Sequence, residues 1–412
     1  MRCGLLGRTL GHSYSPAIHA ALGGDYSYEL FQIEPENLAS FLEQGDFHGL
    51  NVTIPYKQAV IPFCKSLSLT ADAIGSVNTL LRQSDGSLYG DNTDAEGFLA
   101  MLRQSGIRVA GKRILVLGSG GSSLTVCHVL RAQDAGEITV ISRQGAHTYE
   151  NLHQYSDAQV LINTTPVGMY PATGESPVDL ATFPHLEGVL DLIYNPARTR
   201  LLMDAEARGI PHIGGLSMLV GQAAAAASLF SGHPVGANSV HPAQEVLRRK
   251  MENLILIGMP GSGKSTVGQL TAERMGRPFI DTDKAVEEAA GCTIPEIFQR
   301  EGEDGFRKRE TEVLEALGKR SGLVIATGGG CVTRPENYPH LHQNGSVLFL
   351  ERDLTALPRE GRPLSQTVDL DVMYRHRLPD YQRFADKIVE NIGYPETVAE
   401  TVLEAFYETL SH

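Results

Sequence analysis

Long apolar runs are missing from this chain. No uninterrupted stretch approaches the roughly 20 residues a membrane helix needs, so no membrane partner is expected. Basic residues are outnumbered: 35 Lys and Arg face 48 Asp and Glu, for a formal net charge of −13. That balance argues against nonspecific hold on nucleic acid or an anionic surface. Any anionic substrate must instead be met by cations placed locally. Cysteine is sparse. Cys3, Cys64, Cys127, Cys292 and Cys331 are scattered, odd in number and without CxxC spacing. This gives no zinc or disulfide signal and fits a reducing, cytoplasmic compartment. No internal repeat is visible, and Met1 to Gly7 runs straight into a strand-like pattern, so no secretory leader is expected. What is there is an ordinary globular composition, 42% hydrophobic and 20% charged, over 412 residues. At roughly 150 residues per domain, two to three domains are expected.

Two glycine-rich turns stand far apart. The first, Gly118-Ser119-Gly120-Gly121-Ser122-Ser123, follows the apolar strand Arg113 to Leu117 and opens a helix predicted to run to Ala132. Glycines let backbone N–H groups approach a pyrophosphate at a helix N-terminus. Alone, such a turn is weak evidence. The next predicted strand, Glu137 to Ser142, ends in Ser142-Arg143, where an NAD site would carry Asp or Glu. An arginine there suits a 2′-phosphate, which favours NADP(H). The second turn, Gly258-Met259-Pro260-Gly261-Ser262-Gly263-Lys264-Ser265, matches the phosphate-loop pattern fully and follows the predicted strand Asn253 to Ile257. Gly261, Ser262, Gly263 and Thr266 would approach the phosphates of ATP, Lys264 would reach the outer ones, and Ser265 can ligate Mg2+. Between the halves, Ser231 to Met251 loses periodicity and reads as a connection.

Upstream of the first turn lies a polar set: Ser13 and Ser15, Asn51-Val52-Thr53-Ile54-Pro55-Tyr56-Lys57, Ser76-Val77-Asn78-Thr79 and Gly90-Asp91-Asn92-Thr93-Asp94. Hydroxyls, amides, one lysine and one carboxylate suit a polyhydroxylated acid. Lysine beside aspartate is a plausible proton-transfer pair. Further motifs follow: Asn163-Thr164-Thr165-Pro166-x-Gly168-Met169, Asp191-x-x-Tyr194-x-Pro196 and Gly215-x-x-Met218-Leu219-x-x-Gln222. On these residues, positions 1 to about 235 resemble shikimate dehydrogenase. The resemblance implies that Ser13, Ser15, Thr53, Asn78, Asp94 and Gln222 bind shikimate, that Tyr194 approaches it, and that Lys57 and Asp94 stand at the chemistry. It also implies a cofactor site including Gly215 and Met218, and 3-dehydroshikimate as substrate. Many NADP-using members carry Asn-Arg-Thr and a second arginine after the second strand. Here Arg143 remains without them, so NADP preference is expected in weaker form, with His147 a pH-dependent substitute.

Past the second turn come Asp281-Thr282-Asp283, a predicted helix over Glu301 to Glu310 with Arg307 and Glu310 on one face, Thr327-Gly328-Gly329-Gly330, Arg362-Pro363-Leu364 and Arg377 to Tyr381. Arginines beside a small acid make sense, because guanidinium pairs bidentately with carboxylate. This set resembles shikimate kinase over about 252 to 412. The resemblance implies Asp283 at the substrate hydroxyls, Arg307 and Arg377 on the carboxylate, and Gly329 and Gly330 lining the pocket. It further implies Asp281 organising Mg2+ with Ser265, Glu310 orienting Arg307, and Arg362 as the lid arginine near the transferring phosphoryl group. The lead into the lid is short, which leaves Arg352 and Arg359 as candidate adenine or lid contacts.

The expected fold is α/β. A substrate domain spans 1–92 and is completed by a helix over 217–235. A Rossmann NADP domain spans 93–216, a linker 236–251 and a P-loop kinase domain 252–412, with parallel sheets in both halves. The expected function is two successive reactions of the shikimate pathway, with a homodimer through the dehydrogenase half as one expectation. The alternative is a quinate/shikimate dehydrogenase preferring NAD, fused to another small-molecule kinase.

Overall fold

The computed structural model describes residues 1–11, 13–356 and 370–410. The chain divides into two compact units: Met1–Met169, Glu175–Tyr194 and Leu201–Leu247 form the first, and Tyr170–Gly174, Asn195–Arg200 and Arg248 onward form the second.

The first unit holds two sheets. β1 (Arg2–Gly7), β2 (Ser27–Gln32), β3 (Gly49–Val52), β4 (Cys64–Leu67), β5 (Thr79–Arg82) and β6 (Leu88–Asp91) are ordered β2-β1-β3-β5-β6-β4. This sheet is mixed, not parallel as expected. β5 runs antiparallel to both β3 and β6. The reason is local. Only five residues separate β5 from β6, and they close a hairpin in which Gln83 N–H bonds to Ser87 O. A parallel crossover needs a dozen or more residues. The Asp85-Gly86 pair was the available hairpin signal. The second sheet comprises β7 (Arg113–Leu117), β8 (Glu137–Ile141), β9 (Val160–Asn163), β10 (Gly188–Asp191) and β11 (His212–Gly214). All are parallel, in order β11-β10-β9-β7-β8. The chain leaves β7 to one side and returns on the other, which makes its C-terminal end the switch point where ligands bind.

The helices of this unit are α1 (Ser15–Ala21), α2 (Leu38–Gln44), α3 (Leu69–Ile74), α4 (Asp94–Ser105), α5 (Gly121–Ala132), α6 (Arg200–Ala207) and α7 (Leu216–Ser231). The close pair α4 and α7 positions functional residues. A Cβ at Gly97 would lie 2.6 Å from Met218 O, and one at Gly221 would lie 3.0 Å from the Ala100 Cβ. Small residues thus bring the Asp94 end of α4 beside Gln222 of α7. The expected connection over 236–251 is instead helix α8 (Ala237–Met251). Its buried Ala243, Leu247 and Met251 recur every four residues, a period that Pro242 and the flanking glycines obscured.

The second unit carries one parallel sheet, β12 (Asn253–Ile257), β13 (Phe279–Asp281), β14 (Val324–Ala326), β15 (Gly345–Glu351) and β16 (Lys387–Glu390), ordered β13-β14-β12-β15-β16. Its helices are α9 (Lys264–Met275), α10 (Thr282–Ala290), α11 (Ile294–Gly318), α12 (Asn337–His342), α13 (Leu370–Phe384) and α14 (Pro395–Leu410). β12 is apolar and fully buried, as a central parallel strand must be. Its C-terminal end is again the switch point. The helix expected over Glu301 to Glu310 is not continuous. Gly302 adopts φ 71°, ψ −172° and breaks α11 into two segments, and Arg307 and Glu310 ride on the second.

Candidate active sites

In the first unit a cavity of about 390 Å³ opens where the two sheets meet. Ser13 and Ser15 reach it from the start of α1, Thr53 and Lys57 from the segment after β3, Asn78 from the edge of β5 and Asp94 from the start of α4. Tyr194, Gly215, Met218 and Gln222 close the opposite wall, and Ser122 of the glycine turn reaches the same space. The polar groups meant for a small acid and the end of the dinucleotide turn therefore face one cavity. Lys57 Nζ donates to Asp94 Oδ2 at 2.5 Å, with both side chains partly buried. Asp94 is the first residue of α4, where the helix dipole favours its charge. The Asn78 oxygen accepts from the Thr93 N–H at 2.7 Å. Tyr194 meets Tyr14 edge-on, with ring centroids 6.3 Å apart. Burial, and then Tyr14, raises the Tyr194 phenol above its ordinary range, so it stays protonated.

The glycine turn supplies a cradle rather than a wall. Gly118 has φ 102°, and a Cβ there would lie 2.8 Å from Thr164 Oγ1, so only glycine fits. Nothing lies within 4 Å of a Cβ at Gly120 or Gly121, which leaves the N-terminus of α5 open to a phosphate. Ser119 belongs to this turn. Ser142 and Arg143 follow β8; Ser142 N–H bonds to His147 O at 3.0 Å, which folds the segment into a turn with Arg143 exposed. His147 Nδ1 pairs with the Tyr155 hydroxyl at 2.5 Å. These residues lie apart from the cavity lining.

In the second unit a cavity of about 600 Å³ gathers the remaining candidates. Lys264 opens α9 and is 7% exposed; its ammonium donates to the carbonyls of Gly258 and Met259, both at 2.9 Å. Gly261, Gly263, Ser265 and Thr266 line the same wall. Ser262 is wholly buried within the loop, its N–H bonds to Met259 O, and its carbonyl accepts from Asn391 Nδ2 at 2.6 Å. These two bonds brace the loop, and its hydroxyl has no protein partner among the described residues. Ser265 donates to Asp281 Oδ2 at 2.6 Å, while Asp281 Oδ1 caps α10 through the Asp283 N–H. A hydroxyl and a carboxylate in contact at the mouth of a phosphate loop fit a magnesium ion, which prefers oxygen ligands and keeps water.

Arg307 and Glu310 form a buried pair, Nη1 to Oε2 at 2.8 Å, on one face of α11. Burial pushes the Glu310 carboxyl above its ordinary range, opposed by the Arg307 cation. The glycine run explains itself by close approach. A Cβ at Gly328 would lie 2.5 Å from Glu310 Oε1 and 2.7 Å from Asp283 Oδ1, and one at Gly330 would strike the Arg307 guanidinium at 2.1 Å. Arg377 Nη1 donates to Gly329 O at 3.2 Å, and the buried Tyr381 hydroxyl donates to the same oxygen. Arg352 also lines this cavity. Arg359 and Arg362 lie outside the described residues.

Sequence reasoning assigned no role to four contributing residues. Asn51 lines the first cavity although it opens a motif already noted. Asn391 clamps the phosphate loop from beyond β16, a distance no local pattern reveals. Phe298 and Phe306 stack 5.0 Å apart and form an apolar wall in the second cavity, where they read as ordinary core.

Comparison with known proteins agrees with this geometry. The family model "Shikimate dehydrogenase substrate binding domain" matches residues 5–80, and "Shikimate kinase" matches 260–407. Shikimate dehydrogenase (NADP(+)) of Methanopyrus kandleri is 38% identical over 260 residues, covering 56% of this chain and 89% of that protein. Among solved structures, a chorismate mutase/shikimate 5-dehydrogenase fusion protein from Clostridium acetobutylicum superposes with TM-score 0.57 at 36% identity, covering 60% of this chain and 97% of its own. Shikimate 5-dehydrogenase from Thermus thermophilus, in complex with NADP(H) and shikimate, gives 0.54 at 35%, covering 60% and 99%. The chain belongs to the shikimate dehydrogenase family and is a fusion, with a shikimate kinase domain behind the dehydrogenase.

Proposed function

We propose that this chain catalyses two consecutive reactions of the shikimate pathway: NADPH-dependent reduction of 3-dehydroshikimate to shikimate, then ATP-dependent phosphorylation of shikimate to shikimate 3-phosphate. The single observation that carries the reading is that one chain holds both a Lys57–Asp94 pair in a polar cavity beside a dinucleotide turn and a phosphate loop beside the Arg307–Glu310 pair. The product of the first reaction is the substrate of the second.

In the first site NADPH, when bound, supplies the hydride. Gly118 to Ser122 would hold its pyrophosphate and Arg143 its 2′-phosphate. Ser13, Ser15, Thr53, Asn78 and Gln222 would bind the acid through its hydroxyls and carboxylate. Lys57 gives a proton to the carbonyl oxygen as it becomes an alkoxide, and Asp94 holds the ammonium in line. Tyr194, protonated, donates to the substrate.

In the second site ATP, when bound, supplies the phosphoryl group, and Mg2+ held by Ser265 and Asp281 would neutralise charge on its oxygens. Lys264 would hold the outer phosphates. Arg307 and Arg377 would clamp the shikimate carboxylate, Gly329 and Gly330 would line the ring, and Asp283 would accept the proton of the attacking 3-hydroxyl. Arg362 is proposed as the lid cation on the resemblance alone. The geometry points to positioning and charge stabilisation, which carry most of phosphoryl-transfer catalysis.

Cytoplasmic residence is part of this proposal, and among the described residues no helix is long and apolar enough to cross a membrane. A homodimer would elute at twice the chain mass in light scattering. Two substitutions test the assignment. Lys57→Ala should lower dehydrogenase turnover by about 10²–10⁴ and leave phosphorylation of added shikimate intact. Lys264→Ala should do the reverse. Loss of both activities in either variant would contradict two separate sites.

A further inference from the structure

The first cavity is backed by a buried aromatic box that the mechanism does not use. His19 of α1 is 2% exposed, stacked on Tyr28 with centroids 3.9 Å apart and flanked by Phe230 at 5.9 Å. Its Nε2 lies 3.1 Å from Asn51 Oδ1, and its Nδ1 lies 2.6 Å from the Tyr26 hydroxyl. Asn51 is 5% exposed and lines the cavity. We propose that His19 is a positioning residue of the dehydrogenase site: a fixed donor that turns the Asn51 carboxamide, and through Thr79 that of Asn78, so both present N–H groups to the bound acid. This rests on reading the cavity as the shikimate pocket.

The polarity of the chain follows from what each atom can do. Asn51 Oδ1 is an acceptor only, and it already accepts from the Tyr28 hydroxyl at 2.8 Å. His19 Nε2 must therefore carry a proton. Burial lowers the ring to about 3, so it is neutral at ordinary pH and Nδ1 is bare. Tyr26 donates to that nitrogen. Asn51 Nδ2 then donates to Thr79 Oγ1 at 3.3 Å, and Thr79 Oγ1 donates to Asn78 Oδ1 at 3.1 Å. The Thr93 N–H binds the same Asn78 oxygen. Both amide oxygens are thus occupied by protein donors. What remains for a ligand is N–H, so the ligand must bring oxygen acceptors at both places. An analogue without them would leave buried donors unpaired, which is how polar sites reject close relatives.

The test uses the full chain, with shikimate and NADP+ kinetics for His19→Phe, His19→Gln and Asn78→Ala. His19→Phe should raise KM for shikimate at least tenfold, with KM for NADP+ and the kinase rate of the same chain unchanged. His19→Gln, whose amide N–H replaces Nε2–H, should recover most of that loss. A His19→Phe KM within twofold of the parent, with Asn78→Ala raised, overturns the proposal alone. If Asn78→Ala is also unmoved, the pocket reading falls with it. Should the phenylalanine variant fail to fold, the unsubstituted protein decides: the ¹⁵N shifts of His19 should report the neutral Nε2–H tautomer from pH 5 to 8, and the Nδ1–H tautomer overturns the proposal.

Discussion

Glu310 has no exposed surface, and one of its oxygens is held by Arg307 while the other lies deep against Gly328. Removing it leaves the buried Arg307 guanidinium with only Glu303, a largely exposed carboxylate 3.4 Å away. Breaking such a buried pair costs about 3–5 kcal/mol of stability. Glu310→Ala should therefore lower the melting temperature of the second unit by several degrees, raise the kinase KM for shikimate and leave the dehydrogenase unchanged. An unaltered kinase would show that Glu303 alone suffices to hold Arg307. Arg143 is the single cation after β8. A charge-assisted bond contributes about 1.5–3 kcal/mol, so Arg143→Gln should cut the NADP+ over NAD+ affinity ratio by roughly 10–100-fold in direct titration. A constant ratio would move 2′-phosphate recognition elsewhere. His19 makes a pH prediction. Its folded value, about 3, lies below the unfolded value near 6.5. The unfolded chain binds the extra proton between those values, so stability falls as pH drops through that window. At pH 5 the first unit should lose about 2 kcal/mol on this account, and His19→Phe should lack that share in melts compared between pH 7 and 5.

At the scale of elements, the strands and helices beside the two glycine turns were legible because strand, turn and helix signals coincide there. Asn253–Ile257 and Asp94–Ser105 occur as expected. Two elements escaped for opposite reasons. In α8 the apolar period was present but crowded by Pro242 and by basic residues at its end. In α11 the helical pattern ran through Gly302, whose φ 71°, ψ −172° backbone is one essentially only glycine adopts and no propensity reveals. That conformation costs other residues about 1–3 kcal/mol. Gly302→Ala should accordingly lower the melting temperature of the second unit by several degrees, without moving that of the first. Equal melting would mean that the break in α11 relaxes without strain.

For the whole molecule, the pairing of activities was readable because each half carries many ordered motifs. The side-chain network behind the first cavity was not. His19 lies on α1, Tyr26 just before β2, Asn51 on β3 and Thr79 on β5, and only the folded sheet with α1 packed against it brings them together. Fusion need not imply transfer of shikimate from site to site. Independent sites predict that unlabelled shikimate, added to the medium, dilutes label passing from 3-dehydroshikimate into shikimate 3-phosphate; undiluted product would mean guided transfer. The most direct test of the two-reaction account is one assay with purified chain, 3-dehydroshikimate, NADPH and magnesium-ATP, following NADPH loss and ADP release together. The account predicts near-equal amounts and no ADP release until NADPH is supplied. NADPH loss without ADP release, or ADP release that ignores NADPH, would contradict it.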